Sequence, residues 1–421
     1  MAIDKNYAPK LYCSTENMTE EEWENERRKA LGGSDMAVVL GMSPFEGTRL
    51  SVYNEKIGKK AVEPMSDKTR VIFDSGHFLE NMVADLFSYR TGYGTYEVKA
   101  MFEHPRHPYL RGNIDRFYRR HGEQAPLGFL ECKTTSEFNS GWGCDNIPIH
   151  YKIQLATYMS ILNMEVCQIA CLKLPESLRW VAGILYQMKR VFGKLPVNVM
   201  GDVRDQLNAL NDPAIKPYIP MVLSLIGGEF LIPERLRAEC SDAISTNLFM
   251  RTFERDEILE EYILEEAEKF WKEHVEKHLP PSLENETGAN ALATLKKYTP
   301  AFHVAAPVTM PHEAQLADCY RQITELKERK SALSERSKEI DAQIKKLHVP
   351  FVEALNGADR GEFSYNGSSS SYSVAYASGE RVGIPKKKLT VLRNAYPDAY
   401  DAVVETTVTN PSLKVSKKGV A

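Results

Sequence analysis

Between residues 66 and 172 the hydrophobic repeat alternates between a helical and an extended period, and this order limits the fold more than any other feature of the chain. Ile72, Phe73, Leu79, Val83, Leu86 and Phe87 give one apolar face to a helix over 66–92, with Gly92 as its stop. TYEVKAMFE (95–103), YLRGNIDRFY (109–118) and LGFLECK (127–133) read as strands. A loop rich in Gly, Ser and Asn covers 136–147, followed by a helix over 149–163 and a strand over 165–172. Helix, three strands, helix and strand in that order predict a mixed α/β (α+β) architecture, with a central mixed sheet flanked by helices.

The flanks are less regular. Residues 1–26 form a lead-in whose acidic stretch TEEEWENE makes a short helix capped by Thr19. In RRKALGGSDMAVVLGMSPF, Gly32 and Gly33 permit a tight approach, Ser34 or Asp35 can cap a helix over Met36–Leu40, and Gly41 and Pro44 end it. WVAGILYQMKRVF is helical but too charged to span a bilayer, and 211–250 contains apolar bursts without a clear period. Residues 251–278 read as one amphipathic helix ended by Pro280 and Pro281. Between 309 and 347, Leu326, Leu333, Ile340 and Leu347 recur at seven, with Leu316, Ile323 and Ile344 on the second seam. Lys330 and Ser337 interrupt that seam, which favours an intramolecular hairpin or a modest coiled-coil contact over a long zipper. The last seventy residues suggest short strands and then a helix near 386–404. The expected division is a lead-in at 1–26, a main domain at 27–250, a helical extension at 251–350 and a small α/β region at 351–421.

Composition narrows the function classes. The 53 basic and 57 acidic side chains leave a formal charge of −4, so no global basic field announces nucleic acid. A carboxylate site in a local basic groove is compatible with that balance. The 7 cysteines are odd in number and scattered, which fits a reducing compartment. MAIDKNYAPK has no apolar signal core, and no apolar run approaches the roughly 20 residues that cross a bilayer. The expectation is a cytoplasmic protein with no membrane partner.

Carboxylates at informative positions carry the chemistry. Glu80 lies in GHFLE within the long helix, Asp115 lies in a strand-like run, and Glu131 and Lys133 alternate on the next strand. Period two puts Glu131 and Lys133 on one face and turns Cys132 to the other. Neighbouring strands can bring Asp115 and Glu131 together, and the packed helix can add Glu80. Clustered carboxylates repel unless a divalent cation joins them, and oxygen donors suit Mg2+, with Mn2+ as a substitute. The Cys132 backbone carbonyl is a further candidate ligand, and Lys133 can oppose charge developing on a phosphate. Taken singly, each carboxylate reads first as a solvated surface group. Trp142, in the GWG loop, can stack on a DNA end or serve as core or lid. Arg106, Arg111, Arg116, Arg119 and Arg120 make a modest strip that can face phosphate or be ordinary strand surface.

Six motifs, in order, resemble the YqaJ-type viral recombinase family, the lambda-exonuclease-like alkaline exonucleases of phages within the PD-(D/E)XK nuclease superfold. They are Trp23 with Arg27, LGGSD at 31–35, GHFLE at 76–80, GNID at 112–115, LECKT at 130–134 and YKIQLATY at 151–158. The resemblance implies a PD-(D/E)XK restriction-endonuclease-like core with a helical and small β-containing C-terminal extension. It implies that Asp115 and Glu131 hold the metal, that Glu80 is an added ligand directly or through water, that Lys133 is the catalytic lysine and that Gln154 orients that lysine or a water. Tyr158 shares the Gln154 face at i+4. Arg27 and Ser34 match positions that contact a 5'-phosphate. The implied activity is a metal-dependent 5'-to-3' exonuclease on linear double-stranded DNA, leaving 3' overhangs for a single-strand annealing protein, with a homo-oligomer such as a trimeric ring. A structure-specific or host-directed endonuclease of the same fold is the alternative, followed by a non-catalytic DNA-binding assembly protein. The cysteines lack the layout of iron–sulfur nucleases, so no cluster is expected. GNID stands where the family often has Ala-Asn-x-Asp.

Overall fold

The computed structural model describes residues 5–59, 61, 67–139, 141–142, 146–192, 205, 215–227, 238, 242, 246–299, 311–364, 371–377, 380–382, 406–408 and 412–417. The helix expected near 386–404 and half of the 211–250 stretch lie outside the described residues. Two compact units result, Met1–Phe302 and His303–Ala421.

The first unit opens with β1 (Lys10–Ser14) and α1 (Glu20–Arg28). Thr19 caps α1 in a reciprocal box: its Oγ1 accepts from the Glu22 N–H at 3.2 Å, and the Glu22 carboxylate accepts from the Thr19 N–H at 2.8 Å. Next come α2 (Gly33–Val39), α3 (Arg49–Lys56) and α4 (Asp67–Thr91), which matches the helix expected over 66–92. The start of α2 corrects the expected cap. Gly32 is the N-cap, and Asp35 sits inside the first turn with its carboxylate accepting the Gly32 N–H at 2.8 Å.

Strands β2 (Gly94–Tyr96), β3 (Ala100–Glu103), β4 (Arg111–Asn113), β5 (Arg116–Arg119) and β6 (Gly128–Ser136) follow, then α5 (Ile149–Leu162), β7 (Val166–Leu174), α6 (Glu176–Phe192) and β8 (Leu248–Glu254). The main sheet has the order β2-β5-β6-β7-β8, and a smaller one the order β1-β3-β4. β6 pairs parallel with β7 across the α5 crossover, while β5–β6 and β7–β8 are antiparallel. β8 was not foreseen. The segment read as one helix from 251 is extended to Glu254, and the helix runs over Glu257–Phe270 and on through a π-helical turn at Trp271–Val275, with Asp256 accepting the N–H groups of Ile258 and Leu259. Pairing with β7 overrides the helical pattern there.

Alternation along β6 divides the core. Leu130 and Cys132 join α4, α6 and β7 residues Ala170, Leu172 and Leu174 in one apolar layer. Phe129 joins α2, α5, Ile169 and the Glu257–Phe270 helix in the other. A mixed sheet between helical layers is the core that the PD-(D/E)XK resemblance implies. Gly183 lets α6 meet α4, since a Cβ there would lie 2.2 Å from the Val71 carbonyl oxygen. Among the described residues no helix is long and apolar enough to cross a membrane.

The second unit contains an unbroken helix, Glu313–Leu355, in place of the expected hairpin. Strands β9 (Arg360–Ser364), β10 (Ser371–Ala377), β11 (Glu380–Val382), β12 (Thr406–Val408) and β13 (Ser412–Lys417) follow. They pair in the order β13-β10-β9 and as β11-β12, in keeping with the short strands expected there.

Candidate active site

The β5–β6 register pairs Arg116 with Leu130 and Phe117 with Phe129. Carried one residue further, it sets Asp115 opposite Glu131. The Cys132 N–H donates to Asp115 Oδ2 at 2.8 Å, which fixes the aspartate at the strand mouth. Glu131 and Lys133 point toward α5, as period two requires. Glu131 is 2% exposed, and its Oε1 accepts from Lys133 Nζ at 2.6 Å and from Gln154 Nε2 at 2.7 Å. Its Oε2 is buried with no hydrogen-bond partner. A carboxylate oxygen buried without a donor is costly, and such groups are rare in folded proteins.

Glu80 approaches from the opposite layer. Its Oε1 accepts from Arg116 Nη1 at 2.6 Å, and Arg116 also donates to Asn81 Oδ1 and to the Asp115 carbonyl. Arg116 is 8% exposed and was missed as a site residue. Its neighbour Asp115 turns to one face of β5 and Arg116 to the other, so the basic strip read from sequence hid this role. Arg111 leaves the same strip to bind Glu103 at 2.8 Å.

The electrostatics tie the groups together. Burial, then the Asp115 charge, pushes Glu131 up to about 7 despite Lys133 and Gln154. Burial and Asp115 likewise push Glu80 up to about 8 against the pull of Arg116. Burial works against the Lys133 ammonium, but Glu131, Asp115 and Tyr151 outweigh it and hold its pKa above the ordinary value.

These residues meet the chemical demand of a hard divalent cation in part. Asp115, the orphaned Glu131 oxygen and a strand carbonyl at Cys132 are oxygen donors of the kind Mg2+ takes, and Mg2+ commonly binds through one or two carboxylates and keeps several waters. The third carboxylate does not join them: Glu80 is committed to Arg116. Among the described residues no three His, Cys, Asp or Glu side chains form a ready metal cage.

The LGGSD turn lies beside this centre. Leu31 bridges to the GNID strand, donating its N–H to the Tyr109 carbonyl at 2.7 Å and accepting the Arg111 N–H at 3.0 Å. Arg27 Nη2 donates to Ser34 Oγ at 3.2 Å and lies 3.8 Å from Asp35. Asp35 also pairs with Lys56, whose side chain is fully buried, at 2.7 Å. Burial opposes the charge on Asp35, but Lys56 and Arg27 hold its carboxyl below the usual range. Lys56 was not singled out in sequence, since nothing local marks a lysine that pairs across helices.

Gly33 has a packing role. A Cβ there would lie 2.9 Å from Gln154 Cγ and 3.0 Å from Tyr158 Cε1. Gly33→Ala should therefore cost about 1–3 kcal/mol by forcing α2 off α5, read as a lower urea midpoint. An unchanged midpoint would show that α5 yields freely.

Tyr158 is buried and its hydroxyl accepts from Gln154 Nε2 at 3.3 Å. Trp142 is 3% exposed, with its ring 5.3 Å from that of Tyr151. The core alternative therefore describes Trp142 in this structure, and no open ring face is left for a DNA end. Tyr151 in turn lies under the Lys133 ammonium, 5.3 Å from ring centroid to Nζ.

The YqaJ-like viral recombinase domain matches residues 22–165. The uncharacterized protein YqaJ of Bacillus subtilis (strain 168) is 33% identical over 156 residues, which are 37% of this chain and 46% of that protein. The chain thus spans about half the length of that relative. Among solved structures, the alkaline exonuclease LHK-Exo from Laribacter hongkongensis is similar with 15% identity over 62% of this chain and 94% of that one, at a TM-score of 0.35. A phage related exonuclease from Haemophilus somnus 129PT is similar with 11% identity over 61% of this chain and 99% of that one, at a TM-score of 0.36. Residues 22–165, which hold Arg27, Glu80, Asp115, Glu131, Lys133 and Gln154 together, are thus similar to the YqaJ-like viral recombinase domain.

Proposed function

We propose that the protein is a metal-dependent deoxyribonuclease, a 5'-to-3' exonuclease on linear double-stranded DNA that leaves 3' overhangs for a single-strand annealing protein. The observation that carries this reading is the buried Glu131, with one oxygen held by Lys133 and Gln154 and the other unpartnered next to Asp115. A buried anion beside a second anion is unfavourable in a merely structural site. It is productive where a cation and a phosphodiester are to be received.

Asp115, Glu131 and the Cys132 carbonyl would hold the ion, with Glu80 added once freed from Arg116. Mg2+ or Mn2+ there would supply a polarised water and neutralise charge on the phosphate. Gln154 keeps Glu131 Oε1 in place, so the free oxygen keeps its aim. Lys133 stays charged and can oppose negative charge on the scissile phosphate. Arg27, braced by Asp35 and hydrogen-bonded to Ser34, offers a charge-assisted donor to a terminal 5'-phosphate.

Duplex DNA with Mg2+ tests the reading. Linear DNA should be resected from its 5' ends, and covalently closed circles should survive until linearised. Cutting of closed circles would favour an endonuclease. Arg27→Ala should slow use of 5'-phosphorylated ends by roughly ten- to a hundredfold, the worth of one charge-assisted hydrogen bond, while 5'-hydroxyl ends change little. An equal loss on both would remove Arg27 from end recognition.

A further inference from the structure

Charged side chains from three helices meet around Arg27, and the proposed function leaves one of them, Lys56, without a role. Asp35 stands in the first turn of α2 and Lys56 is the last residue of α3, so each sits at the helix end that favours its charge. The Lys56 side chain is fully buried, and its Nζ lies 2.7 Å from Asp35 Oδ2. That same oxygen accepts the Gly32 N–H at 2.8 Å. Arg27, at the end of α1, approaches the other oxygen, Oδ1, only to 3.8 Å, beyond hydrogen-bond reach.

This asymmetry decides what Arg27 can do. Its guanidinium donates to Ser34 Oγ at 3.2 Å, stands 5.7 Å from the Trp23 ring centroid and lies 4.0 Å from Glu55. None of these is the bidentate carboxylate pair in which an arginine spends its fork of donors. Lys56 also reaches Glu55, at 3.4 Å, so two cations face two carboxylates and the group is balanced. Without Lys56, one cation would face both carboxylates. Asp35 would draw the guanidinium into a direct pair, and an arriving phosphate would meet uncompensated negative charge. A buried carboxylate needs a cation, and Arg27 is near enough to serve. The second cation, buried at its own desolvation cost, is what leaves Arg27 unspent.

We propose that Lys56 is a positioning residue for 5'-phosphate recognition: by neutralising Asp35 it keeps the Arg27 donors available to the phosphate. The inference rests on the reading of Arg27 as the phosphate contact. Lys56 is buried and does not touch DNA itself. It acts by preorganisation, since the phosphate need not break an Arg27–Asp35 pair before it binds.

Binding of blunt duplexes with 5'-phosphate or 5'-hydroxyl ends to the full chain, in chelator so that nothing is cut, tests this. The parent should prefer phosphorylated ends, and Arg27→Ala should erase the preference. Lys56→Met, close in length and uncharged, should lower it by about tenfold, with little change on hydroxyl ends. Lys56→Gln keeps a donor for Asp35 without the charge and should act in the same direction, which secures the test if the Met variant folds poorly; circular dichroism checks each protein. Lys56→Met with Asp35→Asn removes both charges and keeps an acceptor for the Gly32 N–H, so it should restore the preference. In an Arg27→Ala background Lys56→Met should shift neither end. A parent that binds both ends equally would remove Arg27 from end recognition and this inference with it. A preference that Arg27→Ala erases and the Lys56 variants leave intact would overturn the role of Lys56 alone. So would equal weakening on both ends, or a loss that persists in the Asp35→Asn double variant, either of which makes the pair a clamp for the fold.

Discussion

Glu131→Gln should lower cleavage of a 5'-labelled linear duplex by roughly 10²–10³-fold, the scale seen when one charge-stabilising group leaves an active site. The substitution is close to isosteric. Its amide oxygen can still accept from Lys133 and Gln154, which now hold Glu131 Oε1 at 2.6 and 2.7 Å. What disappears is the anion at the unpartnered Oε2. The fold should therefore persist, with an unchanged near-ultraviolet circular dichroism spectrum, while activity is lost. Lys133→Ala should abolish cleavage too, but it leaves the Glu131 carboxylate buried without its cation, a change that costs about 3–5 kcal/mol when a buried pair is broken. Its stability has to be measured beside its rate. A Glu131→Gln protein that cuts at the parent rate would end the nuclease assignment of this site.

The second large effect is on stability, and it is visible without substrate. Burial and the Asp115 charge raise Glu131 to about 7 and Glu80 to about 8 from ordinary values of 4.5. The folded chain then binds more protons than the unfolded chain between about pH 4.5 and 8, so its stability falls as pH rises through that window. The contribution is fully present below the unfolded value and lost above the folded one, opposite to a carboxylate in a favourable ion pair. In chelator, the metal-free protein should lose on the order of 6 kcal/mol between about pH 5 and 8 through these two groups, measured by urea unfolding. Glu131→Gln should flatten part of that slope. Mg2+ should stabilise the parent more at pH 8 than at pH 5, because it competes with the proton for the same oxygens. Mg2+ stabilisation that is absent, or that survives in an Asp115→Asn, Glu131→Gln double variant, would place the ion elsewhere.

Much of the candidate site was legible because its pieces are local. Period two in LECKT sets Glu131 and Lys133 on one face, and the strand after α5 receives a parallel partner as a βαβ unit does. Gln154 was implied by the family resemblance alone, and the structure sets it on the sheet-facing side of α5, where it reaches Glu131. The terminator Gly92 adopts a φ of +73° just where the long helix stops.

Other features depended on contacts between distant segments. The Arg116 side chain turns to the layer opposite Asp115 and occupies Glu80, and Lys56 is buried against Asp35. Trp142 packs on Tyr151, where its loop setting left a DNA-stacking role open. Residues 248–254 became a sheet edge because β7 offered a row of unpaired backbone groups, a demand that outweighs the helical pattern in RTFERDEILEEY.

The sequence by itself determined the long helix α4, the helix α5, the strands β6 and β7 and the face on which Glu131 and Lys133 stand. These follow from backbone periods and covalent neighbours. Only the tertiary structure decided which cation neutralises which carboxylate and which Glu131 oxygen stays free. Those outcomes depend on burial and on partners tens of residues away, where a change of face or of one hydrogen bond reverses the balance between a charge's desolvation and its pairing.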